Sequence, residues 1–381
     1  MPNRVLASVL TGPKTLVTRE FPFPDVTEDS MIVKIEMCGV CGTDVHVYDG
    51  YQFSPVHSLD LPLILGHENV GRIYKIGDRA ASRMEFRGQQ LKEGDRVVWY
   101  PQIQCKKCYF CRNVPQETQL CMNAWSYGFA NCERPENKPW LFGGYSEYVF
   151  IRPDTFVWKV REDIPLEAVV MLDTLASVRG VEKAMIPFPN VKEGFGFMDN
   201  VVILGDGPVG ICTAAKARAM GAGTIILSGH HENRLKAAKE FGLDIAIGPE
   251  YKNSPEKVKK KIMDLTEGVG ADVVFNCAGV PESFADGLRL TRVGGIYVEI
   301  GNATDRGTTP INPTLDVCLA DRIIIGQFYC PAQQYNRDLR FIESMRFPFQ
   351  KLVSHKFGVS EATDAMHTVS KRQAIKAVIA P

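Results

Sequence analysis

The sequence has no apolar run approaching the ~20 residues that a membrane-spanning helix needs. It has no excess of either charge. Lys and Arg together number 44, Asp and Glu also number 44, and the formal net charge is zero. A nucleic-acid partner would favour a basic surface, so that class of function is disfavoured. Low-complexity tracts and internal repeats are absent too, which disfavours repeat and disordered architectures. The stretch MPNRVLASVLTGPKT holds one Arg and a short apolar run broken by Gly-Pro. It lacks the longer apolar core of an export signal, so a cytoplasmic protein is expected. Eleven cysteines in such a chain point to metal ligands before disulfides.

What is present fits an enzyme-sized globular protein. The chain has 381 residues, too many for one ordinary core and suited to two domains. Residues 1 to about 165 hold short β-like runs among Gly and Pro, such as MIVKIEMCGV, GDRVVWYPQ and GGYSEYVFI. From about residue 200 the texture changes. Buried strands (NVVILG, TIILS, ADVVFNCAG, GGIYVEIG, RIIIGQF) alternate with amphipathic helices, which predicts a parallel sheet covered on both faces. A helix is expected from about Asn233, closed by Gly242, and another with Ser254 as N-cap and Pro255 at its first position. The expected fold class is therefore α/β with a β-rich first domain. Residues 331–381 cannot be given to either domain by pattern alone.

VVILGDGPVG places Gly205, Gly207 and Gly210 in G-x-G-x-x-G spacing, after a buried strand and at the start of an Ala-rich helix. In that context Gly205 permits a tight turn, Gly207 lets a pyrophosphate approach, and Gly210 lets helix and strand pack closely. Pro208 and Val209 open the helix, whose N-terminus offers free N–H groups to phosphate. A Gly-rich turn without ligand is the alternative. An acid normally closes the second strand and binds the ribose 2′-hydroxyl of NAD. Here Gly229 stands in its place, followed by His230, His231 and Arg234. NADP is therefore not expected to be excluded, and Gly229→Asp is expected to shift preference towards NAD. The two histidines also read as a solvated turn.

CKKCYFCRNVPQETQLC supplies Cys105, Cys108, Cys111 and Cys121, spaced to wrap one tetrahedral zinc in a closed, structural site. Cys132 is a nearby thiol that competes with Cys121 for the fourth place. A second set is split. GVCGTDVHVYDG holds Cys41, Thr43, Asp44 and His46, and LPLILGHENVGRI follows with His67 and Glu68. A thiolate, an imidazole, a third ligand and one open position make a catalytic zinc site.

CGVCGTDVH, LGHENVG, GDRV, CKKCYFC, GGYSEYV and GDGPVG, in this order over nearly the whole chain, resemble the zinc-dependent medium-chain dehydrogenase/reductase family of alcohol, sorbitol and threonine dehydrogenases. The resemblance implies a GroES-like catalytic domain, residues 1–165 completed by 331–381. It also implies a Rossmann dinucleotide-binding domain, residues 166–330. It implies two zincs per chain and NAD(H) or NADP(H). Cys41 and His67 become catalytic-zinc ligands, with Asp173 at the remaining ligand position, Glu68 beside the metal and Asp44 orienting His67. Asp173 as a plain helix cap is the alternative. Cys38 falls off the ligand position and reads as a core thiol. Thr43 would meet the substrate oxygen and His46 would pass its proton to solvent. Gly301 and Asn302 would line the cofactor edge, and Lys376 would lie near the pyrophosphate.

The implied activity is reversible oxidation of an alcohol or polyol to aldehyde or ketone by hydride transfer, with a carbonyl reductase or a noncatalytic zinc- and nucleotide-binding protein as alternatives. The implied partners are a small-molecule substrate and further copies of the chain, as a dimer or tetramer. Tyr51, Phe53, Trp99, Trp125 and Phe328 are candidate pocket residues. Two departures stand out. The Cys111–Cys121 gap is long, which predicts a reshaped zinc lobe, and RAASRMEFRGQQLKEGD reads as an insertion.

Overall fold

A computed structural model describes residues 3–51, 60–185, 194–251 and 254–381. It divides into two compact units, Met1–Asp173 with Cys330–Pro381, and Thr174–Tyr329.

The first unit is built on the strand Met31–Gly39, of which all but Lys34 and Glu36 are buried. Strand Glu68–Ile76 pairs antiparallel on one edge. Strands Tyr148–Ile151 and Lys376–Ile379 pair on the other. Neighbours on both edges and core contacts through Met31, Ile32, Val33, Ile35 and Cys38 explain why the strand is apolar at its other positions. Arg96–Trp99 and Val157–Lys159 extend the sheet on one side, and Val353–Phe357 extends it on the other. A smaller sheet joins Thr15–Pro22, Arg4–Gly12 and Leu63–Ile64. Val9, Met31, Ile64, Trp99, Tyr145 and Ala377 share one core. The insertion folds into the short helix Asp78–Arg83 and a turn, with Ala80, Met84 and Leu91 buried.

The tail belongs to this unit. Besides its strand, it is tied by side chains: Tyr100 Oη donates to the Cys330 carbonyl at 2.6 Å, and Ala332 N donates to Thr118 Oγ1 at 2.8 Å.

The second unit is a six-stranded sheet, parallel in every pairing. Its spatial order is Ile245–Ile247, Thr224–Ser228, Asn200–Leu204, Ala271–Asn276, Thr291–Glu299 and Ile323–Gly326. In chain order this is third, second, first, fourth, fifth and sixth, the doubly wound arrangement with its switch point beside Asn200–Leu204. Helices Pro208–Ala219, Glu232–Ala238, Pro255–Leu265 and Glu282–Leu290 make the first four connections, and the last runs through the helical turn Pro313–Cys318. Gly242 ends the second helical stretch in the left-handed region, as its position suggests. Ser254 precedes Pro255 but makes no capping bond, because its backbone is not in the extended conformation that aims a cap.

Tyr100 is fully buried, so Tyr100→Phe leaves the Cys330 carbonyl without this donor. The loss should cost about 1–3 kcal/mol and lower the urea midpoint. An unchanged midpoint would remove this bond as a tie of the tail.

Candidate catalytic metal centre and dinucleotide edge

Asp44 is the centre of the first site and is wholly buried. It lies one turn into the short helix Gly42–Tyr48, where its Oδ2 reaches back to accept from Cys41 N at 2.9 Å. This is capping-box geometry, in which the third helical residue satisfies the free amide before the helix. The same Oδ2 accepts from Tyr145 Oη at 3.1 Å, while Oδ1 faces His67 Nδ1 at 3.4 Å. One carboxylate thus fixes the backbone that carries Cys41 and orients the ring of His67. Nε2 is left as the ring nitrogen open to a metal.

His67 follows a turn that requires glycine. Gly66 has φ +98°, and a Cβ there would lie 2.7 Å from both Cys38 Sγ and a Tyr145 ring carbon. Burial alone would push the His67 pKa down. The Asp44 carboxylate and the Cys41 sulfur outweigh it and raise the pKa well above the ordinary value. Cys38 is buried in the core, and burial pushes its thiol far up, so it is inert.

Glu68 opens the strand that pairs with Met31–Gly39, directly opposite Gly39. Its carboxylate pairs with Lys376 Nζ, both side chains nearly fully buried. Burial pushes the Glu68 carboxyl up and would pull Lys376 down. The attraction of Glu68, Cys41 and Asp173 raises Lys376 instead, so it stays charged. The expectation for Lys376 was a place at the cofactor pyrophosphate. In the structure its ammonium is engaged by Glu68, because the tail strand lies against the strand opposite Glu68.

Cys41, His67 and Glu68 bring a sulfur, a nitrogen and an oxygen within 4.8 Å of one another. Thiolate, imidazole and carboxylate are zinc donors, and the set fits that ion. Asp173 stands outside this triplet. It is buried at the start of helix Leu172–Ser177, and its Oδ1 accepts a hydrogen bond from Tyr335 Oη. It is close enough to raise the Glu68 carboxyl by repulsion. Glu68, Trp99, Asp173 and Tyr335 line one small cavity.

Cys105, Cys108, Cys111 and Cys121 form a second set, also within 4.8 Å and all free thiols. Sγ separations of 3.5 Å (Cys108–Cys111) and 4.0 Å (Cys108–Cys121) fit four thiolates around one ion. The amide of Lys107 and then that of Cys108 help lower Cys105 to about 6, whereas burial pushes Cys121 up to about 12. Cys132 is packed in the hydrophobic core instead.

In the second unit the loops following the parallel strands lie at one edge of the sheet. Gly205 has φ +105°, and a Cβ on Gly210 would lie 1.9 Å from the Gly205 carbonyl oxygen. A Cβ on Gly207 would meet nothing within 4 Å. That open cradle precedes the amide end of the helix Pro208–Ala219, which suits a pyrophosphate. A Cβ on Gly301 would sit 2.2 Å from the Ala278 carbonyl oxygen, and Asn302 donates from backbone and side chain to Glu299 Oε1. Gly229, His230, His231 and Arg234 follow the strand Thr224–Ser228.

Of the aromatic pocket candidates, Trp99 is buried, and Trp125 stacks under Arg152 at 4.5 Å. Tyr51 and Phe328 are exposed. Phe53 lies outside the described residues. Sequence reasoning missed four residues. Gly39 makes room for the ion pair, since a Cβ there would lie 1.9 Å from Glu68 Oε2 and 2.9 Å from Lys376 Cε. Tyr145 and Tyr335 hold the two aspartates, and neither carries a local signal. Asp206, inside the glycine motif, accepts from the amides of His230 and His231. An acid within that motif was a visible signal.

Metal analysis should find two zincs per chain. Cys41→Ser should lose one of them, and retention of both would remove Cys41 from the ligands. Gly39→Ala should crowd the buried Glu68–Lys376 pair, at about 1–3 kcal/mol. A urea midpoint equal to wild type would show that the pair adapts.

Residues 208–344 match the family described as zinc-binding dehydrogenase, and residues 27–162 match the alcohol dehydrogenase GroES-like domain. The chain is 31% identical to a probable alcohol dehydrogenase of Mycobacterium tuberculosis, over 96% of this chain and 94% of that protein. It is 28% identical to a sorbitol dehydrogenase of Bombyx mori, covering 98% and 97%. The crystal structure of an alcohol dehydrogenase from Thermotoga maritima matches with a TM-score of 0.87 at 31% identity, covering 99% of each chain. With both halves matched and nearly the full length shared, the chain belongs to the zinc-dependent medium-chain dehydrogenase/reductase family.

Proposed function

We propose that this protein oxidises a primary or secondary alcohol, including polyols, reversibly to the aldehyde or ketone, with NAD or NADP as hydride acceptor. The observation that carries this reading is the convergence of Cys41, His67 and Glu68 on one point, with Asp44 behind two of them. Zinc bound there would supply Lewis-acid polarisation of the substrate oxygen, and a bound nicotinamide would supply the hydride acceptor.

The chain's own residues hold and move the proton. Thr43 and His46 are three apart on the helix Gly42–Tyr48 and half-buried, so they are neighbours on its surface. The Thr43 hydroxyl accepts the alcohol proton as it releases its own, and His46 takes the released proton on towards solvent. Lys376 balances the charge of Glu68 beside the metal, and Tyr335 steadies Asp173, which would complete the ligand set with Cys41 and His67. The second zinc is held by Cys105, Cys108, Cys111 and Cys121 and takes no part in the chemistry. The dinucleotide lies along the edge formed by Gly205–Gly210, Gly229–Arg234 and Gly301–Asn302.

A homodimer or homotetramer and a cytoplasmic location complete the reading, by analogy with the family. No helix among the described residues is long and apolar enough to cross a membrane.

Alcohols and polyols of increasing size, offered with each dinucleotide, should raise the absorbance of the reduced nicotinamide. Carbonyls offered with reduced dinucleotide report the reverse direction. No reaction with any of them, by protein holding both zincs, would favour the noncatalytic reading. His46→Ala should keep both metals and lower the rate by roughly a hundredfold, most at low pH, with partial rescue by external imidazole. An unchanged rate across pH would take His46 out of the relay.

A further inference from the structure

We propose that Asp206, inside the glycine-rich loop, supplies the carboxylate that position 229 lacks, and that it sets the discrimination between NAD and NADP. The inference rests on the reading that this edge takes a dinucleotide, and three observations carry it.

The first is exclusion. A Cβ built on Gly229 would lie 2.4 Å from Asp206 Cβ and 2.5 Å from its Oδ2. The Asp206 side chain therefore fills the space that an acid at the end of strand Thr224–Ser228 would begin to enter. One carboxylate fits here, whichever strand provides it.

The second is fixation. The Asp206 side chain is 7% exposed. Its Oδ2 accepts from the backbone amides of His230 and His231, each at 2.7 Å. A carboxylate held by two amides is fixed in one orientation, as a side chain reading a ribose must be.

The third is charge. His231 Nδ1 lies 3.0 Å from Asp206 Oδ2, and Arg234 Nη1 lies 3.7 Å from Oδ1. The basic residues that would welcome a 2′-phosphate already face this anion. A phosphate entering here meets an arginine already shared with a carboxylate, and meets that carboxylate's like charge, whereas a 2′-hydroxyl meets no repulsion. Asp206 thus restrains the preference for NADP that His230, His231 and Arg234 suggest in sequence.

The same geometry corrects the expectation for Gly229→Asp. That change does not add a free acid, because its Cβ collides with Asp206.

The test uses the full zinc-loaded chain and measures Kd for NADH and NADPH separately by nicotinamide fluorescence. Asp206→Asn keeps an oxygen for the two amides and removes the charge. It should shift the Kd ratio about tenfold or more towards NADPH, and Arg234→Ala should shift it the other way. Gly229→Asp should weaken both dinucleotides, and the exchange Asp206→Gly with Gly229→Asp should recover NADH binding. An Asp206→Asn ratio within about threefold of wild type, or equal weakening of both ligands, would overturn the assignment. So would a Gly229→Asp variant that binds NADH as wild type does. Wild-type protein that binds neither dinucleotide would instead overturn the dinucleotide reading, and this assignment with it.

Discussion

The first site depends on one buried carboxylate. Asp44 has no exposure to water, and its two oxygens face a backbone amide, a phenol and an imidazole. An isolated buried anion is costly, so it is tolerated only where its partners are fixed. That requirement runs in both directions. The helix after Cys41 begins where it does because Asp44 satisfies the amide of Cys41, and His67 presents its other nitrogen because Asp44 holds the first. The spacing between two candidate ligands that lie far apart in sequence is thus set by a group outside the donor set.

A second buried pair works behind it. Lys376 and Glu68 are almost wholly enclosed. Such a pair gives little net stability over an apolar replacement, but either member alone is strongly unfavourable. Gly39 leaves the room, the strand at Glu68 brings the acid, and the tail strand brings the base. The tail therefore completes both the sheet and the charge balance of the site. Asp173 has a comparable arrangement with Tyr335, also from the tail.

The nucleotide edge follows the same rule in a different form. Parallel strands end together, so their loops collect at one edge whatever their spacing in sequence. Asp206 and the turn at Gly229 come from two such loops, and their amide and carboxylate partners are matched there. An anion held this way changes what neighbouring basic residues offer a ligand, and a count of charges along the chain cannot reveal it.

The sequence alone determined the strand–helix alternation, the glycine motif at a helix start, the four-cysteine lobe, and Cys41 with Asp44 in one short segment. These are local patterns, written by side-chain period, capping chemistry and ligand spacing within a few residues. The tertiary structure decided that Glu68 lies within reach of Cys41 and His67 and that Asp173 accepts from the hydroxyl of Tyr335. It also decided that Cys121 completes the sulfur set while Cys132 packs in the core, that Lys376 faces a carboxylate, and that Asp206 fills the gap at Gly229. Each of these depends on residues brought together by sheet pairing or chain return. The energy that selects among candidate partners is the cost of leaving a buried charge or donor unmatched, and that cost is defined only once the surrounding elements have packed.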